Sequence, residues 1–157
     1  MNEAYKAYEE HGKIKVLRAE EEWQRAGAYS VRIQGMNRQY HISLREEFDA
    51  HDGDASRYIV LLDDEYPVAS CRFYRLSDSR VMLGRVVVLP EYQGRGLGAR
   101  LVTEAEKWIS DLGFHTVEIE SRTGATGFYE RLGYAAIDNQ LVQSGTFECI
   151  RMEKKLD

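Results

Sequence analysis

The sequence predicts an α/β fold of the mixed, α+β kind: one mostly antiparallel sheet of about six or seven strands, flanked by about four helices on both faces. Three observations lead there. Strand-like runs at 57–62, 68–74 and 80–89 follow one another across short polar connections, which makes a meander. The third run passes through a glycine-rich turn straight into an amphipathic helix, all within residues 85–107. A strand-like run at 115–120 comes after that helix, and so long a crossover suits parallel pairing with the strand before it.

In chain order, residues 1–12 read as an N-terminal extension and 13–157 as a single domain that opens with the strand Ile14–Arg18. Residues 20–39 are helix-like, with Trp23, Ala26, Val31 and Met36 as inward candidates and Gly27 and Gly35 as points where the helix bends or ends. This helix is expected to lean over the site. Residues 45–56 hold Glu46, Glu47, Asp49, Asp52 and Asp54 against Arg45 alone, a loop with a strongly negative local field. The polar stretch 63–67 joins the first two meander strands, and 76–79 leads into the third. After the glycine turn, Leu97, Leu101, Ala105, Trp108, Ile109 and Leu112 recur at spacings of three and four, so one helix face is buried. Gly113 reads as its C′ cap. The strand at 115–120 alternates Val117 and Ile119 with Glu118 and Glu120, a second helix at 125–132 stops at Gly133, and 134–138 with 147–154 form a closing antiparallel pair.

At 157 residues the chain has room for one domain with a full core. Hydrophobic residues at 43% and charged ones at 30% belong to a globular protein, and no run approaches the roughly 20 apolar residues of a membrane span. The first residues lack the apolar core of a secretory signal, so the expected location is cytoplasmic. A net charge of −5 argues against a nucleic-acid binder. Cys71 and Cys149 read as buried thiols, and no metal-ligand spacing is present.

Chemistry is concentrated at Gly94, Gly96 and Gly98, which alternate with Arg95 and Leu97 ahead of the helix. Bare backbone at a helix N-terminus binds anions, usually phosphates. Three chemistries use such a site. A Rossmann NAD site matches G-x-G-x-x-G/A over 94–99, with Glu118 about 20 residues on. Against it, residues 90–93 separate the strand from the first glycine, the preceding strands form a meander, and the 39 residues after Glu118 leave no room for further βαβ units. A P-loop needs Lys and Ser or Thr where Ala99 and Arg100 stand.

The third reading takes Gln93-x-x-Gly96-x-Gly98, which resembles the pyrophosphate-binding motif of the GNAT superfamily of acetyl-CoA-dependent N-acetyltransferases. Residues 125–134, ATGFYERLGY, resemble that family's second motif, A-x-x-F-Y-x-x-x-G-F/Y, one strand further on as the family requires. Residues 31–49 are similar, more loosely, to the acceptor-side helix and loop of small bacterial members. One departure is Gly124, where many members carry an Asn that contacts the pantetheine arm.

The resemblance implies a sheet splayed at the acetyl-CoA site and N-acetylation of a primary amine, on a small molecule or a peptide, by direct attack in a ternary complex. It places Gln93, Gly94, Arg95, Gly96, Leu97, Gly98 and Ala99 at the pyrophosphate. It lays the pantetheine arm along Val86, Val87 and Val88, with the N–H of Val87 as the oxyanion donor. Arg95 and Arg100 would add charge, or simply face solvent. Tyr129 would be the general acid at the sulfur, against a plain core aromatic. The base candidates are Glu120 and Glu47, with Glu118 and His41 behind them, and the acidic loop is either a solvated turn or a rim that favours cationic acceptors. No metal is implied, and small members are often homodimers. A different class of function, an acyl-CoA-binding or sensing module without turnover, would share the cofactor turn but not need Tyr129.

Overall fold

The computed structural model describes residues 14–157, so the expectation for residues 1–12 lies outside the described residues. One sheet of seven strands runs through them in the order β1-β2-β3-β4-β5-β7-β6. The strands are β1 Ile14–Arg18, β2 Ser56–Asp63, β3 Tyr66–Arg75, β4 Arg80–Val88, β5 Thr116–Arg122, β6 Ala135–Ser144 and β7 Phe147–Lys155. Every neighbouring pair is antiparallel except β4 with β5, as a meander followed by one helical crossover dictates. A single parallel pair rules out the Rossmann reading, which needs successive βαβ units.

Alternation along β2 divides the core. Ile59 and Leu61 face the helix Leu97–Asp111, whose Leu97, Leu101, Val102, Ala105 and Ile109 complete the larger cluster. Tyr58, Val60 and Leu62 face the opposite helix, α1, Glu22–Arg32, and pack on Ala28. Strands buried on both faces explain why the meander carries near-continuous apolar runs. Between the two long helices lies the short α2, Leu44–Glu47, so Leu97–Asp111 is α3, and α4 is Thr126–Arg131. Gly113 and Gly133 close α3 and α4 at φ of 91° and 98°.

α1 departs from the predicted phase. Trp23 is 52% exposed, with its indole N–H on Glu21, and Ala26 is exposed as well. The buried positions are Ala28, Val31 and Arg32, one helical face on β2 and β3. The chain continues through a π turn, Ile33–Asn37, and a last α-helical turn, Arg38–Tyr40. The helix does not break at Gly27, whereas Gly35 lies inside the π turn and touches β4 so closely that a Cβ would sit 2.5 Å from Val87 Cγ1. Gly35→Ala is therefore expected to cost about 1–3 kcal/mol through overpacking against a β-branched side chain. Gly27→Ala, where the nearest atoms stand at 3.5 Å, serves as the near-neutral control, and urea midpoints separate the two.

The negative loop also needs correction. Glu47, Asp49 and Asp52 turn inward and meet Arg32, Arg72 and Arg85, so three carboxylates face three guanidiniums. Asp52 takes two bonds from Arg32 (2.7 and 3.0 Å), the hydroxyl of Tyr58 (2.8 Å) and the N–H of Asp49 (2.9 Å). Burial pushes its carboxyl up, but these donors outweigh burial and hold it well below the usual range. The local field is largely neutralised, and the segment is a buried ionic brace.

Candidate active site

The brace shapes the sheet. In β4 the ladder with β3 pairs Val87 with Ser70 and then Gly84 with Arg72, so Arg85 and Val86 together oppose Cys71 in a β-bulge. Arg85 stands at φ 50°, a conformation that costs a non-glycine residue of order 1–3 kcal/mol and persists only when its surroundings hold it. Here the holders are Glu47 Oε2, 2.9 Å from Nε though off the hydrogen-bond axis, the Glu47 carbonyl at 3.0 Å and Asp49 at 3.1 Å. The bulge redirects β4. Pairing with β5 covers only Arg80 to Leu83 against Thr116 to Ile119, and beyond it the two strands separate.

The gap opens into a cleft of about 800 Å³, with Gly84 to Val88 on one wall, Glu120 and Arg122 on the other, and the glycine turn and Tyr129 along its length. The splay that the resemblance implied is therefore present.

At one end, the turn is built to receive an anion. Gly94 and Gly96 adopt φ of 80° and 77°, a Cβ on either would meet nothing within 4 Å, and Gly96 caps α3 without a side chain. No acidic residue occupies the first turn of α3, so the N–H groups of Leu97, Gly98 and Ala99 and the helix dipole face the cleft unopposed. Gly98 has a different role: its absent Cβ leaves room for Phe128, whose ring carbon Cζ would otherwise lie at 3.2 Å. Gln93 gives its amide to the Val88 carbonyl (3.1 Å) and so braces the turn. Arg95 lies over the Tyr92 ring, 4.9 Å from its centroid, and Arg100 reaches the Ile14 carbonyl (3.4 Å).

Along β4, the Leu89 N–H bonds the Val68 carbonyl at 2.9 Å and sets the phase of the ladder. Two residues back, Val87 also directs its N–H and C=O to β3, while Val88 between them directs its own toward the gap, where its carbonyl meets Gln93. The expectation that the Val87 amide meets the substrate is corrected on this ground. Its side chain packs on Gly35 instead.

Tyr129 lines the cleft from α4, with its ring edge-on to Phe128 and Tyr134 at 4.9 and 5.9 Å. Burial holds its phenol above the ordinary pKa, against a lowering by the charge of Arg122. The hydroxyl donates to no group among the described residues. Cys149 also lines the cleft, and burial raises its thiol as well, so it is a poor nucleophile.

The base candidates separate cleanly. Glu118 is buried, its oxygens are held by Arg80 (3.3 Å) and Arg151 (3.2 Å), and it is not at the cleft. His41 ends the last turn of the α1 segment at φ 54°, exposed and away from the cleft wall. Glu47 reaches the cleft but is 3% exposed and committed to Arg85; burial raises its pKa despite the nearby arginines. Glu120 lines the cleft, is exposed, and has no ion pair among the described residues. Sequence reasoning missed Arg122, which lies on the same wall under Tyr40 and Phe147; nothing in its neighbourhood along the chain marks it. Among the described residues no cluster of three or more His, Cys, Asp or Glu could hold a metal ion, and no helix is long and apolar enough to cross a membrane.

Comparison with known proteins agrees with this geometry. The family model described as acetyltransferase (GNAT) family matches residues 15–134. An uncharacterised acetyltransferase of Streptococcus pyogenes is 29% identical over 120 residues, 73% of this chain and 82% of that one. A candidate N-acetyltransferase from Lactobacillus plantarum, solved as a crystal structure, superposes with a TM-score of 0.85 at 31% identity, over 92% of this chain and 99% of that one. The ribosomal-protein-S18-alanine N-acetyltransferase of Escherichia coli shares the fold at 19% identity, with a TM-score of 0.72 over 92% and 95% of the two chains.

Proposed function

The chain belongs to the GNAT family of acetyltransferases, and from that premise we propose that it moves an acetyl group from acetyl-CoA to the primary amine of a small molecule, by direct attack while both substrates are bound. The observation that carries this reading is the meeting, in one cleft, of the uncapped anion turn, the open edge of β4 and the free hydroxyl of Tyr129. The fit to acetyl-CoA rests on that bare turn, which a pyrophosphate can reach, and on the unpaired strand edge, which an amide-bearing arm can join. Acetyl-CoA supplies the activated acyl group, as a thioester.

The residues divide the remaining work. The N–H groups of Leu97, Gly98 and Ala99 hold the pyrophosphate. With acetyl-CoA bound, Val88 and then Val86 would line its arm along the part of β4 that has no β5 partner, and the Val86 N–H would be the donor to the thioester carbonyl oxygen as charge builds on it. At pH 7 an alkylamine with a pKa near ~10.4 gives its neutral form at a cost of about 4.6 kcal/mol; Glu120 takes that proton, and the second proton, lost from nitrogen as the amide forms, passes to solvent. Tyr129 donates to the departing sulfur. A thiol is more acidic than a phenol whose pKa burial has raised, so the tyrosine hydrogen-bonds the thiolate, and the proton that finally rests on sulfur returns from solvent. Burial disfavours the thiolate of Cys149, which supports direct attack over an acyl-cysteine route.

The test follows thiol release from acetyl-CoA across a panel of amines. Tyr129→Phe is expected to keep acetyl-CoA affinity within about twofold and lower the transfer rate at least tenfold. An unchanged rate removes Tyr129 from the chemistry, and a silent panel with intact cofactor binding favours the sensing module.

A further inference from the structure

β5 presents two unsatisfied charges of opposite sign to the cleft. Val117 and Ile119 point into the α3 core, so Glu118, Glu120 and Arg122 point to the other face, on the side of α1. Glu118 is neutralised there by Arg80 and Arg151. Arg151, the cross-strand partner of Glu120, is thereby occupied, and neither Glu120 nor Arg122 has an ion pair among the described residues. The two act on the same thiol, since Glu120 raises and Arg122 lowers the pKa of Cys149. They do not pair with each other because Arg122 is drawn aside. Its guanidinium lies 3.8 Å from the Phe147 ring centroid and 5.2 Å from that of Tyr40, with weak contacts to Met36 Sδ (3.4 Å) and the Tyr40 hydroxyl (3.5 Å). Tyr40 and Phe147 meet edge to face at 5.6 Å and so fix the arginine from two sides.

An arginine stacked on rings keeps its in-plane N–H groups directed outward, ready for a two-point contact with a carboxylate. Arg85, the other arginine on the cleft, is already paired with Glu47 and Asp49. Two residues along a strand set Glu120 and Arg122 about 7 Å apart at Cα, a span that seats an ammonium and a carboxylate a few bonds from each other. We propose that the acceptor is an amino acid in the broad sense, a small amine that carries a carboxylate, with Arg122 holding the carboxylate and Glu120 facing the amine. The inference rests on the transferase reading and adds the acceptor class to it. The pyrophosphate does not compete for Arg122, because the uncapped turn at Gly96 begins α3, on the opposite face of the sheet.

The test uses matched acceptors that differ by the carboxyl group: phenylalanine and phenethylamine, histidine and histamine, β-alanine and ethylamine. Thiol release gives kcat/KM, and calorimetry on the CoA-loaded protein gives acceptor affinity without turnover. In the wild type the acid member of at least one pair is expected to lead by about tenfold or more, the scale of one charge-assisted contact. Arg122→Met abolishes that lead with the acetyl-CoA Kd unchanged, and Arg122→Lys restores part of it. Equal or better use of the decarboxylated amines by the wild type overturns the proposal, as does a lead that survives in Arg122→Met. Arg122-dependent binding of an amino acid without transfer would keep the acceptor site and reject the transferase reading. Absence of both binding and transfer for every acid overturns the acceptor assignment even if acetyl-CoA binds.

Discussion

Gly96→Asp is expected to raise the Kd for acetyl-CoA at least a hundredfold, measured by calorimetry, with the fold intact. Two effects combine. Gly96 sits at φ 77°, where an L-residue costs roughly 1–2 kcal/mol. A carboxylate would also stand at the N-terminus of α3, where it would take the free N–H groups and repel the pyrophosphate proposed to bind there. Space is not the obstacle, because a Cβ there meets nothing within 4 Å. Gly96→Ala therefore isolates the backbone strain and should lose only about tenfold. If Gly96→Asp binds acetyl-CoA like the wild type, the phosphate site is elsewhere.

Asp52→Asn is expected to destabilise the protein by about 3–5 kcal/mol, the usual cost of stripping one partner from a buried ion pair. The neutral amide leaves Arg32, 1% exposed, and Arg72, 4% exposed, short of counter-charge in the core. The pH dependence has a definite sign. The folded-state pKa of Asp52 lies below its unfolded value, so its stabilisation is complete above about pH 4 and is lost as pH falls through the folded value. Asp49 acts in the same sense: burial raises its pKa, but the paired Arg72 outweighs that. Glu47 acts oppositely, since burial raises its folded pKa, and acid relieves that penalty. Urea midpoints from pH 7 to pH 2 should fall steeply below about pH 4 in the wild type and less steeply in Asp52→Asn. A variant within 1 kcal/mol of the wild type at pH 7, with the same acid limb, would show that the brace contributes little.

Local features were legible in the chain wherever one segment determines them. The strand, turn and helix around Gly94, Gly96 and Gly98 are contiguous, and so are the residues of α4 around Phe128 and Tyr129. The parallel pairing of β4 with β5 followed from the length of the crossover. The rest depends on partners distant in sequence. Nothing near Asp52 announces Arg32 and Arg72, 20 residues away on each side, so the segment looked like a solvated acidic loop. The bulge at Arg85 is held by Glu47 and Asp49, 38 and 36 residues earlier, and without it neither the splay nor the direction of the Val87 amide can be read. Trp23 misled because hydrophobicity alone assigned it inward, whereas the phase of α1 is set by Ala28, Val31 and the buried Arg32.

The left-handed Arg85 also bears on engineering. Exchanging a buried ionic cluster for apolar side chains often makes a protein more robust, and the brace of Arg32, Arg72 and Asp52 would be an obvious target for such redesign. Here that cluster also anchors the neighbours of Arg85. Released from Glu47 and Asp49, Arg85 could relax to extended geometry, and β4 would be free to zip onto β5 through Val88. A thermally hardened variant obtained this way would have sealed the cleft of the candidate site, so robustness and an open cleft have to be selected together in this protein.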